Sequence, residues 1–548
     1  MASQEHLSGP RTGQIPHLAA DGSGPAEGFP GAVATTASGT TLSFWRRWTV
    51  LGIVSSALLL IALDNTILYT ALPTLTSELG ATASEQLWII NAYPLVIAGL
   101  LPGSGALGDR FGHKRIFQAG LVIFGAASVA AAFSPSSEVL IASRALLAIG
   151  AAAMMPATLA LIRITFPVER ERNLAIAIWA AVATVGMALG PIVSGVLLEF
   201  FWWGSVFLVN VPIVLAASVL IIMVGPANVA DPRRRWDGVS SAQVMVGLAA
   251  SVLALKTIAE TPVDWPVFFL SAVVGIVSLT VFARRQMRLT RLSLRPEGRD
   301  VEPLMDFTIF RNAAFSAGVV AAGASIFAIA GLQLATTQRF QLVEGFSPLH
   351  AGLIVSALAL GSMPFALFGG AILHRVGLLM LIGGGLSAAA VGAALAVVSA
   401  VQDSLSLLVV GFVVIGAGLG ASMSVASTAI MGNVPPRRAG MAASIEEVSY
   451  EFGGLVGVAM LGSLITFVYT AALNLPQDAE QWAGQAPAAV LTSEDSRAVA
   501  AAAEAFDLAY LVVLVAVAVV MLLGAAVSAR MLRDYGPGTE SQAYPGNH

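Results

Sequence analysis

Residues 48–72 read WTVLGIVSSALLLIALDNTILYTAL, a run of 25 residues in which Asp64 is the only charge. An apolar stretch of more than about 18 residues is long enough to cross the hydrocarbon core of a bilayer as a helix, and nothing in water would keep it exposed. Comparable runs follow at 86–104, 116–134, 138–162, 173–197, 205–225, 239–259, 265–283, 313–335, 348–373, 378–400, 405–431, 439–470 and 506–529. The chain is therefore expected to be an all-α integral membrane protein with about fourteen transmembrane helices. Composition agrees: 57% of the 548 residues are hydrophobic and 11% charged, against roughly 25% charged in a soluble domain.

Charge is sorted by side. With a cytoplasmic N-terminus, 24 of the 28 basic residues fall in the tails and loops of the cytoplasmic face, Arg339 and Arg497 fall on the other face, and Arg144 and Lys256 lie inside spans. Losing or adding one span would invert every later loop, so the asymmetry supports both span number and direction. A multi-pass protein of the cell (cytoplasmic) membrane with both termini cytoplasmic is expected. Residues 1–43 and 535–548 read as disordered tails. Of the two longer loops, 284–312 is basic and cytoplasmic, and 471–505 is external and Ala-rich, with a helix lying on the bundle as one reading.

Between spans two and three stands Gly105-Ala-Leu-Gly108-Asp109-Arg110-Phe-Gly112-His-Lys114-Arg115. Glycines let helix ends approach closely, Asp109 is suited to a facing helix N-terminus, and such charge contacts can latch one conformation. This loop resembles the signature of the major facilitator superfamily. In span one, Leu63-Asp64-Asn65-Thr66 through Pro73 resembles the motif of the fourteen-span drug:proton antiporters. Gly186, Gly190, Pro191 and Gly195 of span five match its antiporter motif. Glycines four apart make a flat contact face, and Pro191 removes a backbone donor, so a hinge is expected there. The resemblance covers about 45–530 and implies a six-helix half at 44–226, two inserted helices with a basic linker at 227–312, and a second six-helix half at 313–534.

The charges inside spans carry the chemistry. Of 32 acidic residues, Asp64, Glu446, Glu447 and Glu451 fall well within apolar runs, where an ionisable group is expensive and marks function. Glu447 and Glu451 lie one helical turn apart on one face, as do Glu446 and Tyr450. In span four, Arg144 matches the family's intramembrane arginine and by resemblance takes a proton-relay role, although Leu147 and Ala148 stand where the family commonly has Gln and Gly. An acidic span thirteen with Tyr resembles the QacA, SmvA and LfrA group, exporters of quaternary ammonium compounds, dyes and related lipophilic cations. A carboxyl group in a partly dehydrated cavity can hold a proton or a cation alternately near neutral pH. Trp88, Tyr93, Trp179 and Tyr450 are candidates to line that cavity and contact a delocalised cation.

The expected activity is proton-coupled efflux of hydrophobic or cationic small molecules, antibiotics included, by alternating access. Dedicated export of one endogenous natural product is the alternative. No enzyme activity, cofactor or metal is expected, the proton gradient being the energy source. Neither lysine, Lys114 or Lys256, follows a glycine as an ATP-binding phosphate loop requires. The chain lacks cysteine, which removes disulfides and thiol chemistry. The basic residues belong to membrane orientation, so nucleic acid is not an expected partner, and a monomer is expected.

Overall fold

The structure is a computed structural model that describes residues 43–230, 237–259, 263–293, 303–434, 439–474, 487–491 and 495–535. Most of both expected tails, and the middle of the 471–505 loop, lie outside these residues. Fourteen long helices are present: α1 (Phe44–Leu79), α2 (Ala83–Phe111), α3 (His113–Ala132), α4 (Ser137–Thr165), α5 (Glu169–Phe200), α6 (Ser205–Val224), α7 (Gly238–Ala259), α8 (Trp265–Ser293), α9 (Ala313–Val343), α10 (Pro348–Val376), α11 (Leu379–Gln402), α12 (Leu405–Gly432), α13 (Ala439–Ala472) and α14 (Ser496–Met531). Among the described residues twelve helices are long and apolar enough to cross a membrane, and α2 makes a thirteenth when its two arms, bent by 59° between Leu101 and Gly103, count as one span.

Many helices outrun the apolar windows read from sequence. At about 1.5 Å per residue a 36-residue helix such as α1 or α14 measures about 54 Å, well beyond a hydrocarbon core of about 30 Å. Helix α14 starts ten residues before its apolar run because Asp495 caps it, accepting hydrogen bonds from the backbone N–H groups of Arg497 and Ala498 at 3.1 and 3.2 Å. Between α13 and α14, in the expected 471–505 loop, a short helix, Pro487–Leu491, packs on α14 and buries Val490 and Leu491 in the core.

Helix neighbours repeat between the two halves. In the first, α1 packs on α4, α5 and α6, α4 on α2 and α3, and α3 on α6. In the second, α9 packs on α12, α13 and α14, α12 on α10 and α11, and α11 on α14. Adding eight to each label converts one list into the other, so the halves are two copies of one six-helix arrangement.

The halves meet along α5 with α10, α2 with α13, and α1 with α9. Side-chain contacts across these seams gather toward the face opposite the chain termini. There the Thr337 hydroxyl donates to the Tyr69 carbonyl and the Gln341 amide to the Thr70 carbonyl, both at 2.8 Å. The span-five glycines explain how α5 fits between two partners. Gly186 and Gly190 lie against Ala62 and Thr66 of α1, while Gly195 lies against the Leu349 backbone of α10, and Gly352 of α10 against the Pro191 carbonyl. A side chain at any of these positions would push the helices apart.

The inserted pair α7–α8 covers one seam. Helix α7 packs on α2 and α13, from opposite halves, while α8 packs on α7 and exposes Phe269, Leu270 and Ile276 outward. Leu95 and Ala98 of α2, Val244, Leu248 and Val252 of α7, and Leu455 and Ala459 of α13 form one apolar cluster. At the base of the hairpin Arg285 pairs with Asp237 at 3.0 Å, and Gln286 links Ser240 (2.7 Å) to the backbone of Met305 (3.3 Å).

Since the chain has no cysteine, introduced pairs report without background. Gly462 of α13 lies against Leu87 of α2 near the face opposite the termini. Leu87→Cys with Gly462→Cys is expected to form a disulfide on mild oxidation and to arrest transport until reduced, as read by gel shift and efflux. Failure to cross-link, with either single variant labelled freely, would contradict the seam.

Candidate functional site

Four carboxyl groups and one guanidinium stand at membrane depth, on α1, α4 and α13. Asp64 and Arg144 are 3% and 1% exposed and form an ion pair. A buried ion is costly unless every donor finds an acceptor, and Arg144 is held on three sides. Its Nη1 meets the Asp64 carboxylate, its Nε donates to the Ile89 carbonyl of α2 at 3.3 Å, and its guanidinium lies 4.5 Å from the centroid of the Tyr93 ring. Asn210 of α6 is a further hydrogen-bond donor to Asp64, and its amide also reaches the Ser128 hydroxyl at 3.3 Å. Helices α1, α2, α4 and α6 are thereby joined through one buried charge pair.

The three glutamates of α13 point in different directions. Tyr450, one turn after Glu446, donates its hydroxyl to that carboxylate at 2.9 Å, and Ser427 of α12 is a second partner, so Glu446 is held within its own half. Glu451 faces the other half: Asn65 of α1 hydrogen-bonds its carboxylate, and it lies within the field of Arg144. Glu447 is half-buried. It has no hydrogen-bond or ion-pair partner among the described residues, and its charged neighbours are Glu446 and Glu451. One helix thus carries a row of acids from α12, in the second half, to α1, in the first.

The structure groups Asp64, Arg144, Tyr93, Glu446, Glu447, Tyr450 and Glu451 around this row. It does not bring Trp88 to it: that ring packs with the α2–α7–α13 seam cluster. Tyr93 is fully buried beneath Arg144, so it serves the arginine rather than an open wall. Trp179 of α5 donates to the Thr158 hydroxyl of α4 at 3.1 Å, inside the first half. From sequence Asn65 is only one letter of the span-one motif, and neither it nor Asn210 carries a site role of its own. Their signal was there, since each is an amide inside an apolar span, but a lone amide has more bland uses than a charge.

The signature loop lies far from the acids, at the face that carries the termini. Gly105 makes only ordinary contact with Pro156, whereas Gly108 lies against the His113 ring. Gly112 turns the chain with φ +92°, a conformation that favours glycine. Asp109 meets the His113 ring at 3.0 Å, and Arg110 lies over the Phe111 ring. Asn228, beyond α6, donates to the Phe111 carbonyl (2.9 Å) and accepts from the Arg115 N–H (3.2 Å). Lys114 points at the Ile222 and Gly225 carbonyls. In this conformation the loop is tied to α6 of its own half. Asn228 escaped the sequence reading because the contact spans more than a hundred residues.

Comparison with known proteins places this geometry. The family model described as Major Facilitator Superfamily matches residues 54–283 and 233–458. The chain is 35% identical over 440 residues to the methyl viologen resistance protein SmvA of Salmonella typhimurium, covering 80% of this chain and 86% of that one. It is 38% identical over 441 residues to the multidrug efflux pump LfrA of Mycolicibacterium smegmatis, covering 80% and 84%. Against the tetracenomycin C resistance and export protein of Streptomyces glaucescens it is 31% identical, covering 79% and 78%. Among solved structures, a bacterial homolog of the human lysosomal transporter Spinster, inward-facing and unoccupied, superposes with a TM-score of 0.64 at 15% identity, covering 92% of this chain and all of that one. The doubled six-helix arrangement, the signature loop and these matches together show that the chain belongs to the Major Facilitator Superfamily and is a multi-pass membrane transporter rather than an enzyme.

Proposed function

We propose that the protein exports lipophilic cations, quaternary ammonium compounds and dyes among them, in exchange for protons. The observation that carries this reading is the acid row of α13, with Glu447 unpartnered between Glu446 and Glu451. An uncommitted carboxylate at membrane depth is a site that a proton or a cation can neutralise. The relatives point the same way: SmvA is named for resistance to methyl viologen and LfrA for multidrug efflux. A single-compound exporter is the second reading, favoured by the likeness to the tetracenomycin C export protein.

In this reading the face of the termini is cytoplasmic, supported by the distribution of basic residues, and the contacts between halves close the outer face. A cation enters from the cytoplasm or inner leaflet and is neutralised by Glu447 and Glu451. The halves then rock about the α5–α10 and α2–α13 seams, and protons from outside replace the guest. Arg144 is the link between the chemistry and the motion. Paired with Asp64 it holds the first half together; a proton on Asp64 releases its charge toward Glu451, across the boundary between halves.

Three outcomes follow. Ethidium efflux from inverted vesicles is expected to collapse on adding an uncoupler and to survive ATP depletion while a proton gradient is maintained; the opposite pattern would remove proton coupling. Glu447→Gln is expected to lower dication transport about tenfold more than monocation transport, a difference of about 1.4 kcal/mol in site affinity. Equal loss for both, or none, would remove its charge-reading role. Asp64→Asn leaves Arg144 without its counter-ion, which costs about 3 kcal/mol or more for a buried pair. A lower thermal unfolding temperature and loss of transport are expected, and unchanged stability would show the pair to be dispensable.

A further inference from the structure

A groove of about 600 Å³ lies between the ends of α3 and α6 at the face of the termini, with Lys114, Arg115, Gln118, Val122, Ile222 and Asn228 among its lining. Its two ends differ in chemistry. At the mouth the Lys114 ammonium meets only backbone carbonyls, those of Ile222 at 3.5 Å and Gly225 at 3.4 Å, and the Arg115 side chain is exposed. No carboxylate pairs with either cation among the described residues. The Gln118 amide oxygen is buried without a partner, and since amide N and O are interchangeable in assignment the group can equally present a donor. Deeper along α3 Val122 is 57% exposed, and Ile222, beside the mouth near the end of α6, is 63% exposed. Lys114 and Val122 are eight residues apart on α3, about 12 Å along the axis, so the groove runs from headgroup depth into the hydrocarbon.

We propose that this groove binds an anionic phospholipid, its phosphate at Lys114 and Arg115 and an acyl chain along Val122 and Ile222. Two unpaired cations at a membrane boundary attract anionic lipid, and a basic pocket between helices on the cytoplasmic side suits such a headgroup. Among the described residues no carboxylate lines the groove to receive the quaternary ammonium of a zwitterionic choline headgroup, and a free phosphate would leave the apolar slope empty. A bound headgroup bridges α3 to α6 beside the Gly112 turn, so the lipid joins the contacts that tie the signature loop to its own half.

The test is native mass spectrometry of the purified full chain titrated separately with dioleoylphosphatidylglycerol and dioleoylphosphatidylcholine, with inorganic phosphate as competitor. Wild type is expected to hold phosphatidylglycerol at least tenfold more tightly than phosphatidylcholine, and millimolar phosphate is expected not to displace it. Lys114→Ala with Arg115→Ala is expected to weaken phosphatidylglycerol about thirtyfold, the worth of two basic residues at an anionic surface. Ala119→Trp fills the groove and keeps both cations, and it is expected to weaken binding at least tenfold. If the double variant does not fold, Arg115→Gln, on an exposed side chain, is expected to give about a fivefold loss. Equal affinity for the two lipids, displacement by phosphate, or wild-type affinity in Ala119→Trp would each overturn the proposal.

Discussion

The ion pair between Asp64 and Arg144 is the constraint around which the rest is arranged. Low dielectric makes an unpaired guanidinium intolerable at this depth, so the arginine recruits a carboxylate from α1, a carbonyl from α2 and an aromatic face from the same helix. Those three attachments draw α1, α2 and α4 together at the centre of the first half. The same charge acts on Glu451 of α13, which belongs to the second half. In the exchange proposed above, a proton on one carboxylate would alter the balance between holding one half together and holding the two halves to each other. Alternating access needs such a two-state element.

Around that centre the packing is arranged for sliding contact. Small residues face small residues or bare backbone where α5 meets α1 and α10, and the other main seam, α2 with α13, is backed by α7. The inserted hairpin leaves the doubled six-helix arrangement intact and adds an apolar face that touches both halves at once. Its base is closed by Arg285 with Asp237, and Gln286 ties it to Met305 in the segment leading into the second half.

The all-α class and the order of the apolar helices were legible in the sequence because a bilayer allows little else: a long apolar run must form a helix that satisfies its own backbone. Helix ends were less legible. Apolar windows stop where lipid stops, whereas α14 starts ten residues earlier under the control of its Asp495 cap. Asp64, Arg144 and the α13 glutamates stood out because charge is rare at membrane depth, and the Tyr450–Glu446 hydrogen bond follows from a four-residue spacing. Pairings over long separations were invisible. Nothing in the residues around Arg144 names Asp64, 80 positions earlier, as its partner, and nothing near Phe111 points to Asn228. Trp88 is a cavity candidate on residue type alone, since an aromatic face suits a delocalised cation; only the neighbouring α7 decides that it faces the seam.

If carboxylates trade a proton for a positive guest, binding itself must change the proton count. The most direct measurement is proton release from purified protein in weakly buffered detergent solution on addition of tetraphenylphosphonium, read with a pH dye beside calorimetric binding. Release of protons in step with binding, reduced when Glu451 is replaced by Gln, is the result predicted. Saturable binding with no proton released at any pH between 6 and 8 would contradict the exchange on which the account rests.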